Sequence, residues 1–278
     1  MIELICPVRS CSVPLQRDAT ALSCETGHSF DVAKSGYINL LQPQDKRSAR
    51  PGDSREAALA RRRLFDRGTG TAVLAEIEAI MRGRATKRPL ELLDIGCGEG
   101  SHLGSLVARL GAEGCGVDIS SAAIDLAARR YPDLTWIVAN ADRFIPASDA
   151  SIDVAISITA RLNPEEMART LRPDGVAIIA VPASDDLQEL RELVLGEASE
   201  KDRARRVIGE MSNRFTLGDQ RRAADSVSLE NPALRDLLLA TYRGQRRSQS
   251  SRLESAAGLT VTLSFDVLVF EPLEQAFD

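Results

Sequence analysis

Residues 91–100 read ELLDIGCGEG, and residues 115–120 read CGVDIS. These two stretches decide the fold. A mostly apolar run over 90–93 ends at Asp94, and Gly96, Gly98 and Gly100 then turn the chain into a helix that starts near Ser101. Glycine accepts positive φ and lets the backbone approach a ligand closely. The first N–H groups of the following helix have no partner inside it and face the crevice above the turn. A second strand, 114–118, ends at Asp118. A carboxylate at that strand tip can accept both hydroxyls of a ribose.

The spacing G-x-G-x-G differs from the nicotinamide fingerprint G-x-G-x-x-G, and Glu99 places a negative charge inside the turn. Such a charge opposes a pyrophosphate. It suits S-adenosylmethionine (SAM), which has no phosphate and carries a sulfonium cation. A nucleotide site and a plain α/β turn are the competing readings. The expected cofactor residues are Asp94, Gly96, Cys97, Gly98, Gly100, Ser101, His102, Asp118, Ile119 and, just past a strand at 134–139, Asp142 beside the adenine ring. Phe144 either packs on that ring or belongs to the core. His102 reads as a helix-surface residue next to the cofactor, and Cys97 and Cys115 as packing residues beneath the turn.

From residue 90 onward strands and helices alternate, which implies a parallel sheet with helices on both faces. The pattern predicts strands at 90–94, 114–118, 134–139, 153–158 and 175–181, and helices near 101–111, 121–130, 164–171 and 185–195. Residues 200–255 are rich in arginine and read as mostly helical; 259–270 alternates like an edge strand. The expected fold is α/β, a Rossmann-like class I methyltransferase domain with a seven-stranded, mostly parallel sheet. The chain has 278 residues, 44% of them hydrophobic, and a formal net charge of −5. That balance excludes a protein that coats nucleic acid by bulk charge, though not a local basic face. No run of eighteen apolar residues implies a membrane span. The start, MIELICPVRS, lacks the features of a signal peptide, so a cytoplasmic location is expected.

Cys6, Cys11, Cys24 and His28 form C-x4-C-x12-C-x3-H, with turn residues around them. Thiolates and a neutral imidazole at such spacing suit a closed, structural zinc site. A segment of about forty residues buries too little to fold alone, so the metal would drive its folding. Reduced cysteines packed as small core residues are the alternative. The expected units are a zinc ribbon over 1–41, a basic linker with helices over 42–85, and the methyltransferase domain over 86–278. Within the linker, Ser54 is placed to cap a helix through Phe65, and a second helix covers about 70–82. Basic clusters stand at Lys46, Arg47 and Arg50; at Arg61, Arg62 and Arg63; at Arg203, Arg205 and Arg206; and at Arg243, Arg246, Arg247 and Arg252. The 46–63 stretch reads as an RNA-binding segment, the others equally as salt-bridged helix surface.

The cysteine–histidine ribbon, HSFDVAKSGYINLL (28–41), KRSARPGDSREAALARRRLFD (46–66) and LDIGCGEG (93–100) occur in one order. In this the chain resembles the family of 23S ribosomal RNA guanine-N1 methyltransferases over essentially its whole length. The resemblance implies SAM and Zn2+ as cofactors, Cys6, Cys11, Cys24 and His28 as zinc ligands, a guanine in a 23S rRNA hairpin loop as substrate, and a homodimer joining two zinc domains into one RNA cleft. Some members confer macrolide resistance. The chain departs from the family pattern around the methyl-transfer pocket. Thr159, Ala160 and Arg161 stand where the family has a Tyr-Ala-Pro-like segment. Gly70 replaces an aromatic residue, and Asp186 replaces a histidine. These departures leave open a small-molecule methyltransferase on the same scaffold, or a homologue that binds SAM or RNA without catalysis.

Guanine N1 carries a proton, so transfer to it gains from a general base or a stabiliser of charge on O6. Asp185 and Asp186 are candidate bases, although Asp at this place more simply caps the helix 187–195. Arg161 is a candidate for gripping the unpaired base in place of an aromatic ring.

Overall fold

The computed structural model describes residues 2–18, 20–46, 51–84, 88–195, 202–241 and 258–273. The central parallel strands are β5 (Glu91–Ile95), β6 (Glu113–Asp118), β7 (Thr135–Val138), β8 (Ile152–Ile158) and β9 (Leu171–Pro182). Each is a short apolar run buried on both faces, as a strand between two helical layers must be. The helices between them are α3 (Ser101–Leu110), α4 (Ser121–Arg130) and α5 (Pro164–Thr170). Past β9 come α6 (Gln188–Leu195), α7 (Arg203–Met211), β10 (Phe215–Glu230), α8 (Asn231–Ala240) and β11 (Gly258–Pro272). All five central strands pair in parallel, and β11 runs antiparallel between β9 and β10.

Upstream lie three short strands, β1 (Gln16–Arg17), β2 (Ala21–Ser23) and β3 (Ser29–Asp31), which form a small antiparallel sheet. β4 (Ile38–Asn39) then leaves it and pairs in parallel with β7. The large sheet therefore has eight strands, in the order β10-β11-β9-β8-β5-β6-β7-β4. Seven of them make the expected class I sheet, and β4 extends its edge. The N-terminal segment is stitched to the sheet unit elsewhere too. Leu4 bridges Ala147, and Arg143 joins Asp45 (2.7 Å) to the Pro7 carbonyl (2.8 Å). Ile2, Leu4, Leu22, Ile38 and Leu40 share one buried cluster with Ile95, Val117, Ile137 and Ala155 of the large sheet. Two helices link the units, α1 (Arg55–Asp66) and α2 (Thr71–Arg82). Ser54 caps α1 as expected, accepting from the Ala57 N–H at 3.2 Å.

Two expectations are corrected. The described part of 200–255, residues 202–241, is not mostly helical, because 215–230 forms the long strand β10. Its inward positions include Arg221 and Asp225, which hide the apolar alternation that marks a half-buried strand. For the same reason 259–270 is not an edge. β11 is interior, and β10 is the edge beyond it. Arg243, Arg246, Arg247 and Arg252 lie outside the described residues, as do Arg47 and Arg50. Among the described residues no helix is long and apolar enough to cross a membrane.

Candidate functional site

The carboxyl ends of β5, β6 and β8 meet at the glycine turn. Gly96, Gly98 and Gly100 all have positive φ, at 75°, 57° and 80°. Side chains at two of them are excluded by neighbours as well. A Cβ on Gly96 would overlap Ala160, and one on Gly100 would overlap the Trp136 ring. Gly98 donates its N–H to Asp118 at 2.9 Å, and Ser120 donates to the other oxygen of the same carboxylate at 2.7 Å. Each oxygen keeps a lone pair for a ligand hydroxyl. Asp94 is 3% exposed. Burial, with the Asp118 charge second, pushes its carboxyl up to about 7. Asp118 is raised as well, by burial, against the two N–H bonds that hold it down.

Cys97 and Cys115 are buried under the turn, as the sequence implies. Ser101 is buried, and its hydroxyl bonds Glu99 at 2.8 Å. Glu99 is not a charge facing the crevice. It is 4% exposed and pairs with Arg62 at 3.2 Å, tying α1 to the turn. His102 packs edge-on against Phe65 of α1, with ring centroids 5.4 Å apart. Burial, with Arg61 second, lowers its pKa to about 4, which keeps the imidazole neutral. Ile119 and Ser120 meet a segment that sequence reasoning assigned to RNA. Gly52, at φ 78°, lies so close that a Cβ there would come within 3 Å of both residues. Ser120 caps α4 and donates to the Asp53 carbonyl at 2.7 Å. The PGDS strap, residues 51–54, is thus latched to the tip of β6. Its turn-forming glycine was the available signal.

Asp142 lies past β7 and pairs with Arg161 at 3.5 Å. Phe144 stands beside the guanidiniums of Arg169 (5.1 Å) and Arg143 (5.7 Å), which draws its ring into the cluster that seats the N-terminal segment. After β8, Thr159 adopts φ 61°. That is a strained conformation for a β-branched residue, and it swings Ala160 over Gly96. Two residues earlier, the Ser157 hydroxyl is buried without a hydrogen-bond partner. Strain and an orphan polar group together mark this strand end as a place where the fold serves something other than packing.

The side chains of Asp185 and Asp186 turn to β10 and β11 and do not cap α6. Asp185 accepts from Arg222 and from the Ser264 hydroxyl, and Asp186, 8% exposed, accepts from the Ser264 N–H at 3.0 Å. Both clamp the β9–α6 connection onto β11. Burial raises Asp186 to about 6. The arginine run of α1 is tied up in ion pairs, with Arg61 and Arg62 half-buried and Arg63 exposed. Arg61 pairs with Asp53, Arg62 with Glu99, and Arg63 with Asp236 at 2.5 Å. The three do not form a free basic face. Arg205 is 89% exposed beside Asp202, and Gly70 caps α2 in open space.

At the other end of the chain, the ligand atoms of Cys6, Cys11, Cys24 and His28 lie within 4.8 Å of one another. The Cys11 and Cys24 sulfurs are 3.9 Å apart, and His28 Nδ1 is 3.5 Å from Cys6 Sγ and 3.4 Å from Cys24 Sγ. Tetrahedral zinc requires about 3.8 Å between sulfurs and about 3.6 Å between sulfur and nitrogen, from its ordinary bond lengths. The donor set fits the ion. The Thr26 hydroxyl sits 2.9 Å from Cys24 and is the main cause holding that thiol down at about 6.

A zinc-ribbon family described as "RlmA, N-terminal" matches residues 4–49, and a methyltransferase-domain family matches residues 92–175. The 23S rRNA (guanine(748)-N(1))-methyltransferase of Streptomyces fradiae is 31% identical over 277 residues, covering 97% of each chain. The chain belongs to the 23S rRNA guanine-N1 methyltransferase family. It is a SAM-dependent methyltransferase of class I fold with an N-terminal zinc ribbon. A further family relative, from Bacillus subtilis, is 34% identical over 195 residues and covers 68% of this chain and 67% of its own. Among solved structures, a SAM-dependent methyltransferase from Geobacter sulfurreducens with bound S-adenosyl-L-homocysteine is 19% identical, covers 74% of this chain and 92% of that one, and has a TM-score of 0.47.

Proposed function

We propose that the protein transfers a methyl group from SAM to N1 of a guanine in a 23S rRNA hairpin loop, in the cytoplasm. The observation that carries this reading is the end-to-end match to the Streptomyces fradiae enzyme, ribbon and catalytic domain together. In this reading Asp118 takes the ribose hydroxyls and Ile119 and Asp142 flank the adenine. Gly96, Cys97, Gly98 and Gly100 keep the backbone flat beneath the methionine end, and Ser101 and His102 open the helix behind it. When bound, SAM supplies the electrophilic methyl. The chain then has to hold the base in line with it, and positioning alone is a large rate effect. The strained Thr159 and Arg161 lie where the base enters. Arg161 is 75% exposed and is our candidate for steadying charge on guanine O6. The zinc ribbon (1–41) and linker (42–85) are read as the RNA-holding part, and two copies of the chain as one cleft.

The pairing of Arg61, Arg62 and Arg63 with carboxylates favours a second reading, in which the same scaffold methylates a small molecule. One experiment separates the two. Purified protein, labelled SAM and ribosomal RNA from a host lacking the gene are incubated, and the RNA is read by primer extension. We expect one new stop in a 23S hairpin loop, with a macrolide susceptibility test on the same strains reporting any resistance. Absence of methyl transfer to that RNA, with transfer to a host metabolite, replaces the rRNA reading.

A further inference from the structure

The cofactor crevice needs a partner for an anion as well as for cations. SAM carries a sulfonium and an ammonium, and a single negative group, its amino-acid carboxylate. The crevice walls are acidic: Asp118 acts electrostatically on Asp94, and Asp53 on Asp118. Those charges favour the sulfonium and the ammonium but repel the carboxylate. Arg62 is turned to Glu99 and the Leu126 carbonyl, and Arg161 is paired with Asp142.

Arg61 differs. It projects from α1 over the glycine turn, so that its Nη1 lies 3.3 Å from where a Cβ on Gly98 would stand. It also acts electrostatically on Asp118 and on His102. Its Nη2 is held by Asp53 and by the Ala240 carbonyl at 3.5 Å. Among the described residues Nη1 takes no hydrogen-bond partner. Asp53 is in turn fixed through its carbonyl to Ser120. The guanidinium is therefore aimed from one side, with its free edge toward the turn. A planar fork held in this way suits a carboxylate.

We propose that Arg61 is a cofactor-binding residue that holds the amino-acid carboxylate of SAM, and that the PGDS strap with Asp53 is the device that aims it. The proposal rests on the glycine-turn crevice being the SAM site. It gives the Arg-rich α1 a role in the cofactor pocket, where its sequence suggests RNA. The test uses two ligands that share the adenosine and thioether. S-adenosylhomocysteine has the carboxylate, whereas 5′-methylthioadenosine lacks the whole amino-acid end. Binding of each to the full-length zinc-loaded protein is measured by calorimetry. Arg61→Gln should weaken S-adenosylhomocysteine about ten- to a hundredfold, the scale of a charge-assisted hydrogen bond. It should leave 5′-methylthioadenosine within about twofold, the small change expected when the lost partner is absent from the ligand. Arg61→Lys should recover part of the loss. Asp53→Asn keeps the guanidinium but loosens its aim, so it should weaken S-adenosylhomocysteine by less than Arg61→Gln does and leave 5′-methylthioadenosine unchanged. Equal loss of both ligands in Arg61→Gln, or no loss of either, overturns the assignment. An Asp53→Asn variant that binds S-adenosylhomocysteine as tightly as the unaltered protein overturns the aiming role of the strap. If the unaltered protein binds neither ligand, the crevice reading falls and takes the proposal with it.

Discussion

Asp94 and Asp118 show what burial does to a carboxyl at the base of this crevice. Asp94 stands at the end of β5 with almost no solvent, and burial, reinforced by the Asp118 charge, brings its pKa to about 7. A raised acid pKa means the folded state binds a proton that the unfolded chain releases near pH 4. Its contribution to stability is therefore present below about pH 4 and is lost as pH rises through about 7. Placing the sulfonium and ammonium of SAM nearby favours the ionised form. Cofactor binding should thus expel part of a proton near neutral pH, and affinity should climb between about pH 6 and pH 8, the interval around that pKa. Calorimetry in buffers of differing ionisation enthalpy reads the proton directly. Identical apparent enthalpies in all buffers at pH 7 for native protein, or a slope unchanged in Asp94→Asn, would remove Asp94 from this role. Residue chemistry of this kind was half legible in the sequence. The positions of Asp94 and Asp118 follow from strand ends and spacing. The pairing of Glu99 with Arg62 does not, since it depends on a helix thirty-seven positions away.

At the scale of elements, the parallel strands were read to within a residue or two at most ends because each carries a short β-rich apolar stretch set off by polar or turn residues. β10 escaped, since Arg221 and Asp225 occupy inward positions. β4 escaped because two residues carry no periodicity, and its partner β7 is nearly a hundred positions later. The glycine turn shows a third limit. The sequence assigns Gly100 to cofactor approach, yet its missing Cβ is also required by the single tryptophan. Gly100 and Gly116 both make room for the Trp136 ring, whose N–H donates to the Tyr131 carbonyl at 2.8 Å. Gly100→Ala therefore meets positive φ and an overfilled core at once. It should destabilise the fold by about 2–4 kcal/mol, adding left-handed strain to overpacking. Denaturant titration checks this: a loss below about 0.5 kcal/mol, the range of ordinary surface changes, would show that the ring has space to retreat.

Across the whole molecule the ribbon and the catalytic sheet form one mechanical body. Zinc gathers Cys6, Cys11, Cys24 and His28. The chain leaving that site supplies β4 to the large sheet, and Ile2, Leu4, Leu22, Ile38 and Leu40 to the core beneath it. Arg143 then bolts Asp45 and Pro7 to the loop after β7. An independent ribbon on a flexible linker would melt by itself when its metal was removed. Here the metal's binding energy should support the sheet as well, because unfolding the ribbon uncovers the β7 edge and part of the shared core. Protein purified without added zinc should carry about one equivalent, as a closed four-ligand site implies. Chelation, or Cys24→Ser, should lower the melting temperature of the main cooperative transition by more than about 5 °C, corresponding to a loss of roughly 2 kcal/mol in a chain of this size. Scanning calorimetry distinguishes the two arrangements. A separate low-temperature transition, with the main one unmoved, would mean that β4 and Arg143 hold nothing across the seam. A shifted main transition would make zinc a structural support of the methyltransferase fold itself.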